Sequence, residues 1–435
     1  MKKFLLITYY WPPAGGAGVQ RWVKFCKYIH EFGWEPLVYT PENPEYPVVD
    51  PSLINDLPEG LAVIKRPIWE PYQWFKLLTG KKQNERVYSG FINEKGKESI
   101  IQKLAVFIRG NLFIPDARMF WIRPSVRYLK KYIKDHQIDA IVSNGPPHSM
   151  HRIALGLKKA YPAIPWVADF RDPWTKIDFY NQLRLTTWGD RRHHRLEKEV
   201  LTLADRIVTV SPSWARDFKT LSSRDDVAVI TNGFDPEDFT AQEQLRFNKF
   251  NICHFGSMNK DRNPYILWQA LHDLLVELPN LSKDLQIDLY GQVDIEILQS
   301  IREAGLSDYL NKREFVPHAE VVQNMTRSYL LLLPVNNTPN QNGVVPGKLY
   351  EYMGSGRPIL GIGPEHADAA EIIQETNTGV MINYQDLNKL KNFLRQSYQS
   401  YTEKKGMNNS IRQLAKYSRQ ELAKSYAHLL STLIK

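Results

Sequence analysis

The chain has 435 residues, 43% of them hydrophobic and 24% charged, with a net charge of +9. That length is too great for one compact core and predicts about two or three domains. No apolar run reaches the roughly 18 residues of a membrane span, and the two distant cysteines, Cys26 and Cys253, fit buried thiols in a reducing compartment rather than a disulfide framework.

Apolar runs alternate with amphipathic helices along the first half. "KFLLITYY" reads as a buried first strand. Lys2 and Lys3 stand before its apolar residues in the manner of a signal peptide, but Pro12-Pro13 interrupts the run. A glycine turn and a helix follow, then the strand "PLVYT". From Lys65 to Lys134 comes a basic insertion with sixteen Lys or Arg residues among Trp69, Tyr72, Trp74, Phe75, Phe91, Phe113, Phe120 and Trp121. This mixture suits a solvated insertion, or an anionic membrane surface or lipid-linked acceptor, better than nucleic acid. A helix around "RPSVRYLKKYIKDH" and the strands "IDAIVS", "PWVADF", "RIVTVS" and "VAVITNG" complete the half. Near-continuous apolar strands of this kind belong in a parallel sheet covered on both faces. Residues 1–235 are therefore read as a first Rossmann-like domain, and the polar stretch 236–249 as a linker. The pattern restarts over 250–408 with "FNICHFG", "LQIDLYG", "REFVP", "YLLLLPV", "RPILGIG" and "GVMINY", and 409–435 reads as a C-terminal helix able to pack back on the first domain.

Ligands of open parallel sheets bind beyond the carboxyl ends of the strands, so the loops there carry the chemistry. Gly15, Gly16 and Gly18 open the first helix, but Arg21 stands where a dinucleotide fingerprint needs its third glycine, and no P-loop Lys follows. What survives is bare backbone at a helix start, suited to phosphate, or a tight turn with no ligand. In "NQNGVVPGKLYEYMGSGRPIL", Lys348 falls in the first turn of a helix that Gly347 opens, and Glu351 lies three residues on, on the same face. A cation and N–H groups there can hold a diphosphate, and a carboxylate one turn in can accept both hydroxyls of a ribose; the plain alternative is a surface ion pair. "ADFRDPWT" sets Asp169, Arg171 and Asp172 past a strand end, as groups for proton transfer or substrate orientation, or as a turn network. In "SNGPPHSMH", His148 and His151 are one turn apart; with no third ligand in view a metal site is disfavoured, and His148 reads as lining the acceptor side or as a cap. His193 and Glu197 of "DRRHHRLEKE" read as a solvated helix face.

"PGKLYEYMGSGRPIL" resembles the donor-binding segment of the retaining glycosyltransferases of family 4. "ADFRDPW", "ADRIVTVS", "TNGFDPEDF", "FGSMNKDRNP", "FVPHAEVV" and "YLLLLPV" match the family in order, over nearly the whole chain. The resemblance implies a GT-B fold, two tandem Rossmann-like doubly wound domains with a cleft between them. It implies sugar transfer from a nucleotide diphosphate sugar with retention of configuration, generally without a metal ion and with no cofactor. Glu351 matches the second Glu of the family's E-x7-E motif and would hold the ribose. Lys348 and Arg262 would neutralise the diphosphate; the Arg that often follows "FG" in relatives is Ser257 here. The first position of E-x7-E is Gly343, which leaves Asn340 or Asn342 to stand near the donor sugar with Val344. Phe315, Val316 and His318 would lie on the base side. Gly15, Gly16 and Gly18 would close on the donor phosphates.

The expected function is that of a cytoplasmic enzyme extending a cell-envelope polysaccharide or glycolipid, peripheral at the inner membrane face, with a nucleotide-sugar donor, a saccharide or lipid-linked acceptor and no nucleic acid. A sugar-nucleotide epimerase on the same scaffold and a non-catalytic nucleotide-binding protein are the alternatives.

Overall fold

The computed structural model describes residues 1–46, 48–71, 100–239, 248–314, 316, 318–404 and 413–434. The chain divides into two units, Met1–Asn232 with Arg419–Lys435 and Gly233–Ser418. The polar stretch beginning at Pro236 therefore falls within the second unit.

The first unit contains β1 (Lys2–Ile7), β2 (Trp34–Pro41), β3 (Ala62–Arg66), β4 (Ala140–Gly145), β5 (Trp166–Phe170), β6 (Arg206–Thr209) and β7 (Val227–Val229). They form one parallel sheet in the order β3-β2-β1-β4-β5-β6-β7. Phe4 to Ile7 and Ile141 to Ser143 are fully buried, as central parallel strands require when both faces are covered. The covering helices are α1 (Ala17–Tyr28), α2 (Ile100–Asn111), α3 (Met119–Asp135), α4 (Ser149–Ala160), α5 (Thr187–Leu203) and α6 (Pro212–Ser222). Two elements had no counterpart in the sequence reading: α2, inside the basic insertion, and the edge strand β3, which ends as the insertion begins. Lys65 and Arg66 of β3 point to solvent, and an edge strand lacks the continuous apolar run by which buried strands are found. The α3 helix starts four residues before Arg123 and carries Pro124 inside it.

In the second unit, β8 (Phe250–Phe255), β9 (Leu285–Tyr290), β10 (Leu310–Arg313), β11 (Leu330–Pro334), β12 (Ile359–Ile362) and β13 (Gly379–Ile382) form a parallel sheet in the order β10-β9-β8-β11-β12-β13. The strand expected at "REFVP" lies upstream, at β10. Helices α7 (Tyr265–Glu277), α8 (Ile295–Glu303), α9 (His318–Thr326), α10 (Gly347–Gly354), α11 (Asp368–Thr376) and α12 (Leu387–Thr402) cover this sheet.

The last helix, α13 (Arg419–Thr432), returns to the first unit. Tyr426 meets Trp22 of α1 edge to face at 5.0 Å, and the Trp34 indole donates to Ser431 Oγ at 3.0 Å. Leu422, Tyr426 and Leu430 thus complete the core around α1.

Both sheets reverse their strand order once, between β1 and β4 and between β8 and β11. The loops after those strands occupy the position where doubly wound sheets take ligands.

Candidate active site

In the second unit, the two loops at the switch point are bonded to each other. Arg262, from the loop after β8, donates through Nε to Asn336 Oδ1 at 2.5 Å, and the Asn337 amide donates to the Asp261 carbonyl at 3.0 Å. The Tyr384 hydroxyl fixes the same segment by reaching the Val335 and Asn336 carbonyls at 3.1 and 3.2 Å. Gly256 follows β8 with φ +98°. A Cβ there would stand 2.6 Å from Lys348 Cε, so only glycine lets the lysine side chain cross the strand end.

Lys348 crosses at that point from the first turn of α10. Its ammonium reaches the Ser257 carbonyl and His254 Nε2, both at 3.3 Å. Burial, together with the Arg262 charge, pulls the lysine down to about 7, while Glu351 opposes the shift. His254 is buried at the end of β8, and its Nδ1 lies 3.0 Å from the Leu332 carbonyl. A carbonyl only accepts, so Nδ1 carries the proton and Nε2 offers a lone pair to Lys348. One turn along α10, Glu351 Oε1 lies 3.4 Å from His318 Nε2, at the start of α9. Both side chains remain partly exposed.

The remaining donor-side candidates surround this pair. Asn342 is exposed and Gly343 buried, in a 3-10 turn over Gln341–Gly343. Val344 and Val316 pack against the apolar cluster beneath α10. Phe315 lies outside the described residues, as do Tyr72, Trp74, Phe75 and Phe91 of the basic insertion. Sequence reading missed His254 and Gly256. A histidine within "NICHFG" carries no signal of its own, although the glycine after a strand end could have been flagged.

In the first unit, the structure rearranges the expected roles. Asp169 is fully buried and pairs with fully buried Arg21, Nε to Oδ2 at 3.2 Å, while Arg21 also donates to the Thr231 carbonyl at 2.6 Å. A carboxylate with no exposed surface is not placed to take a proton from an acceptor. Its reading as a catalytic group is therefore corrected to that of a structural partner for Arg21. Arg171 and Asp172 keep partial exposure. Arg171 donates to Asn144 Oδ1 at 3.1 Å and to the Pro146 carbonyl at 3.0 Å. Burial pushes the Asp172 carboxyl up, and the Arg171 charge opposes it.

His148 is buried and stacks in parallel on Trp174 at 4.7 Å. Its Nδ1 has no hydrogen-bond partner among the described residues. Burial, and after it the His151 and His193 rings, hold it well below the usual histidine range. The N-terminus of α4 is capped by Asp116, which accepts from the Ser149 amide and hydroxyl at 2.8 Å each, so the capping alternative for His148 falls away. His151 is tied to Ser143 Oγ at 2.8 Å and is lowered to about 3 by burial. Among the described residues, no three His, Cys, Asp or Glu gather as metal ligands.

His193 and Glu197 do not form a solvated face. Both are buried, and they hold the loop after β5. Glu197 accepts from the Trp174 amide at 3.1 Å and from the Thr175 hydroxyl at 2.5 Å. The Trp174 indole donates to His193 Nδ1 at 3.0 Å. The signal was present, because Gly189, His193, Leu196, Glu197, Val200 and Leu201 trace one buried helical stripe.

The glycine loop divides in two. Gly16 caps α1 with φ +103°, a conformation that favours glycine. The Gly15 amide donates to the Val48 carbonyl at 3.0 Å. Gly18 lies inside α1, and a Cβ there would stand 1.7 Å from an Arg171 guanidinium nitrogen. We expect Gly18→Ala to displace Arg171 yet change stability by under about 1 kcal/mol, since gained helix propensity offsets the lost hydrogen bonds. Thermal melts paired with a turnover assay would check this; a large loss of stability would refute it.

The model of Glycosyltransferase Family 4 matches residues 15–238, just over half of the sequence. The chain belongs to Glycosyltransferase Family 4. It is a glycosyltransferase, and its two parallel sheets are those of the GT-B fold. Among solved structures, HepE of Anabaena in complex with UDP is 16% identical, with 99% of this chain and 100% of that one covered and a TM-score of 0.64. TarM of S. aureus, in complex with fondaparinux, alpha-GlcNAc-glycerol and UDP, is 11% identical over 99% and 100% of the two chains, with a TM-score of 0.63. WaaG, a glycosyltransferase involved in lipopolysaccharide biosynthesis, is 14% identical over 98% and 95%, with a TM-score of 0.56. At these identities the likeness concerns the fold. No curated protein matches the sequence. Among the described residues, no helix is long and apolar enough to cross a membrane.

Proposed function

We propose that this family 4 glycosyltransferase moves a sugar, with retention, from a nucleotide diphosphate sugar to a saccharide or lipid-linked acceptor of the cell envelope. The observation that carries the reading is the placement of Lys348 and Glu351 one turn apart at the start of α10, beside Arg262 at the sheet's switch point. The leaving group is a diphosphate, so stabilising its developing charge is the main electrostatic task. In this reading, Lys348, Arg262 and the first N–H groups of α10 perform it without a metal ion. Glu351 accepts the ribose hydroxyls, with His318 and Val316 toward the base and Asn342, Gly343 and Val344 toward the sugar. On the acceptor side, Arg171, Asp172 and His148 orient the incoming hydroxyl. HepE crystallised with UDP and with UDP-glucose, and the TarM complex with UDP, make uracil the first base to try.

A peripheral site of action at the cytoplasmic membrane face is part of the proposal. Trp69 and Phe120 meet at 4.9 Å and stay about half exposed, at 54% and 43%. Exposed Lys103, Arg123, Arg127 and Lys130 accompany them on α2 and α3. Apolar rings among cations suit the interface of an anionic bilayer. Lys81, Lys82, Lys95 and Lys97 of the same insertion lie outside the described residues.

The test is incubation with UDP-, GDP- and ADP-sugars, with and without a membrane extract, with sedimentation on anionic and neutral vesicles alongside. Nucleotide release that depends on the extract is expected. Release without acceptor would overturn transfer in favour of epimerisation or hydrolysis, and equal sedimentation on both vesicles would remove the membrane.

A further inference from the structure

Lys348 is held in an unusual way for a phosphate-binding lysine. It is anchored by a buried histidine rather than by a carboxylate. The Leu332 carbonyl accepts from His254 Nδ1 at 3.0 Å, and His254 Nε2 faces the Lys348 ammonium at 3.3 Å. The chain of contacts runs from the backbone of β11, through a side chain of β8, to the first turn of α10, so three elements of the switch point fix one nitrogen. The Ser257 carbonyl is its other acceptor among the described residues, at 3.3 Å. Two of the three ammonium donors are placed by these contacts, and the third has no acceptor among the described residues. The bend at Gly256, φ +98°, lets the lysine stem pass the end of β8 to reach the histidine.

We propose that His254 is a positioning residue for the donor diphosphate: as a neutral acceptor it aims the Lys348 ammonium at the phosphates and favours its charged form. This rests on the donor-binding reading given above. His254 does not touch the ligand. Its lone pair supplies an acceptor that carries no negative charge, so the ammonium is oriented without being neutralised, and its full charge remains for the phosphate. An aspartate in that place would satisfy the lysine and compete with the ligand.

The groups facing the lysine are His254 on β8, Arg262 in the following loop and Glu351 on α10, with His318 on α9 bonded in turn to Glu351. Burial and Arg262 lower the lysine to about 7, so its proton is lost near neutral pH and affinity for a diphosphate falls as pH rises through that range. A hydrogen bond accepted from the ammonium favours the protonated state. Removing the acceptor therefore moves the fall-off to lower pH, whereas damage to packing alone would weaken binding equally at every pH.

The experiment is calorimetric titration of wild type, His254→Phe and His254→Gln with UDP, GDP and ADP from pH 6 to 9, with melting curves of all three proteins. Phenylalanine keeps the ring volume and removes the acceptor, and glutamine restores an acceptor oxygen. For whichever nucleotide wild type binds, His254→Phe is expected to weaken affinity about tenfold at pH 7 and shift the fall-off to lower pH. His254→Gln is expected to recover most of both. A phenylalanine variant that binds as wild type does, or weakens uniformly across pH, overturns the proposal, as does a folded glutamine variant that recovers nothing. If wild type binds none of the three nucleotides, the donor-binding reading fails and this proposal fails with it.

Discussion

Asp169→Ala is expected to lower the midpoint of thermal unfolding by roughly 10 °C, the largest stability loss of any substitution considered. Asp169 and Arg21 are both fully buried, and their 3.2 Å contact is the charge compensation for the guanidinium. The guanidinium also donates to the Thr231 carbonyl and faces the Phe25 ring, 4.8 Å from its carbon, and neither of these carries charge. Deleting the carboxylate strands a cation inside the first unit, which costs about 3–5 kcal/mol. For a unit of this size each kcal/mol moves the midpoint by roughly 2–4 °C. Asp169→Asn should lose less, because an amide oxygen still accepts a hydrogen bond. Arg21→Met combined with Asp169→Leu should recover much of the loss, since apolar replacement of a buried pair is often neutral or better. A shift below about 2 °C in Asp169→Ala would show that the pair does not hold the unit together. It would also return Asp169 to consideration as a reacting group.

The largest binding effects are expected at Lys348 and Glu351, and they differ in kind. If Lys348 holds the diphosphate as proposed, Lys348→Ala removes a charge-assisted contact worth about 1.5–3 kcal/mol, or roughly 10–150-fold in Kd. The loss should be confined to ligands that carry the phosphates, so UDP weakens and uridine does not. If Glu351 accepts the ribose hydroxyls as proposed, Glu351→Ala should weaken UDP and uridine alike, by a similar factor. Gly256→Ala should imitate Lys348→Ala, because the new Cβ would meet Lys348 Cε at 2.6 Å and φ +98° disfavours any side chain. It should also lose about 1–2 kcal/mol of stability to backbone strain. Calorimetry with UDP and uridine separates these outcomes. Equal losses for both ligands in Lys348→Ala would place the lysine away from the phosphates.

Much of the second unit was legible because its information is local. The apolar runs at Ile252 and Leu330 mark strands buried on both faces. Gly347 and the interval from Lys348 to Glu351 set a helix start and a shared face within a few residues of each other. The first unit was read less well, and the errors share one cause. Arg21 was noticed only as a missing glycine, and its partner lies 148 residues away, on β5. Gly18 was taken as bare backbone for a ligand, yet the space beside it is filled by Arg171 from the loop after β5. Glu197 looked like part of a charged surface until the loop carrying Trp174 and Thr175 folded against it.

By itself, the sequence determined the class of sheet, the positions of most strands and the short-range pairing of lysine and glutamate on α10. These follow from periodicity and from the chain's own geometry over a few residues. Only the tertiary structure decided which charged groups are spent inside the protein and which remain for a ligand. A carboxylate or histidine has the same chemistry in either role, and its role depends on what distant segments bring beside it. Asp169 meets a buried arginine, and His254 meets the ammonium of Lys348.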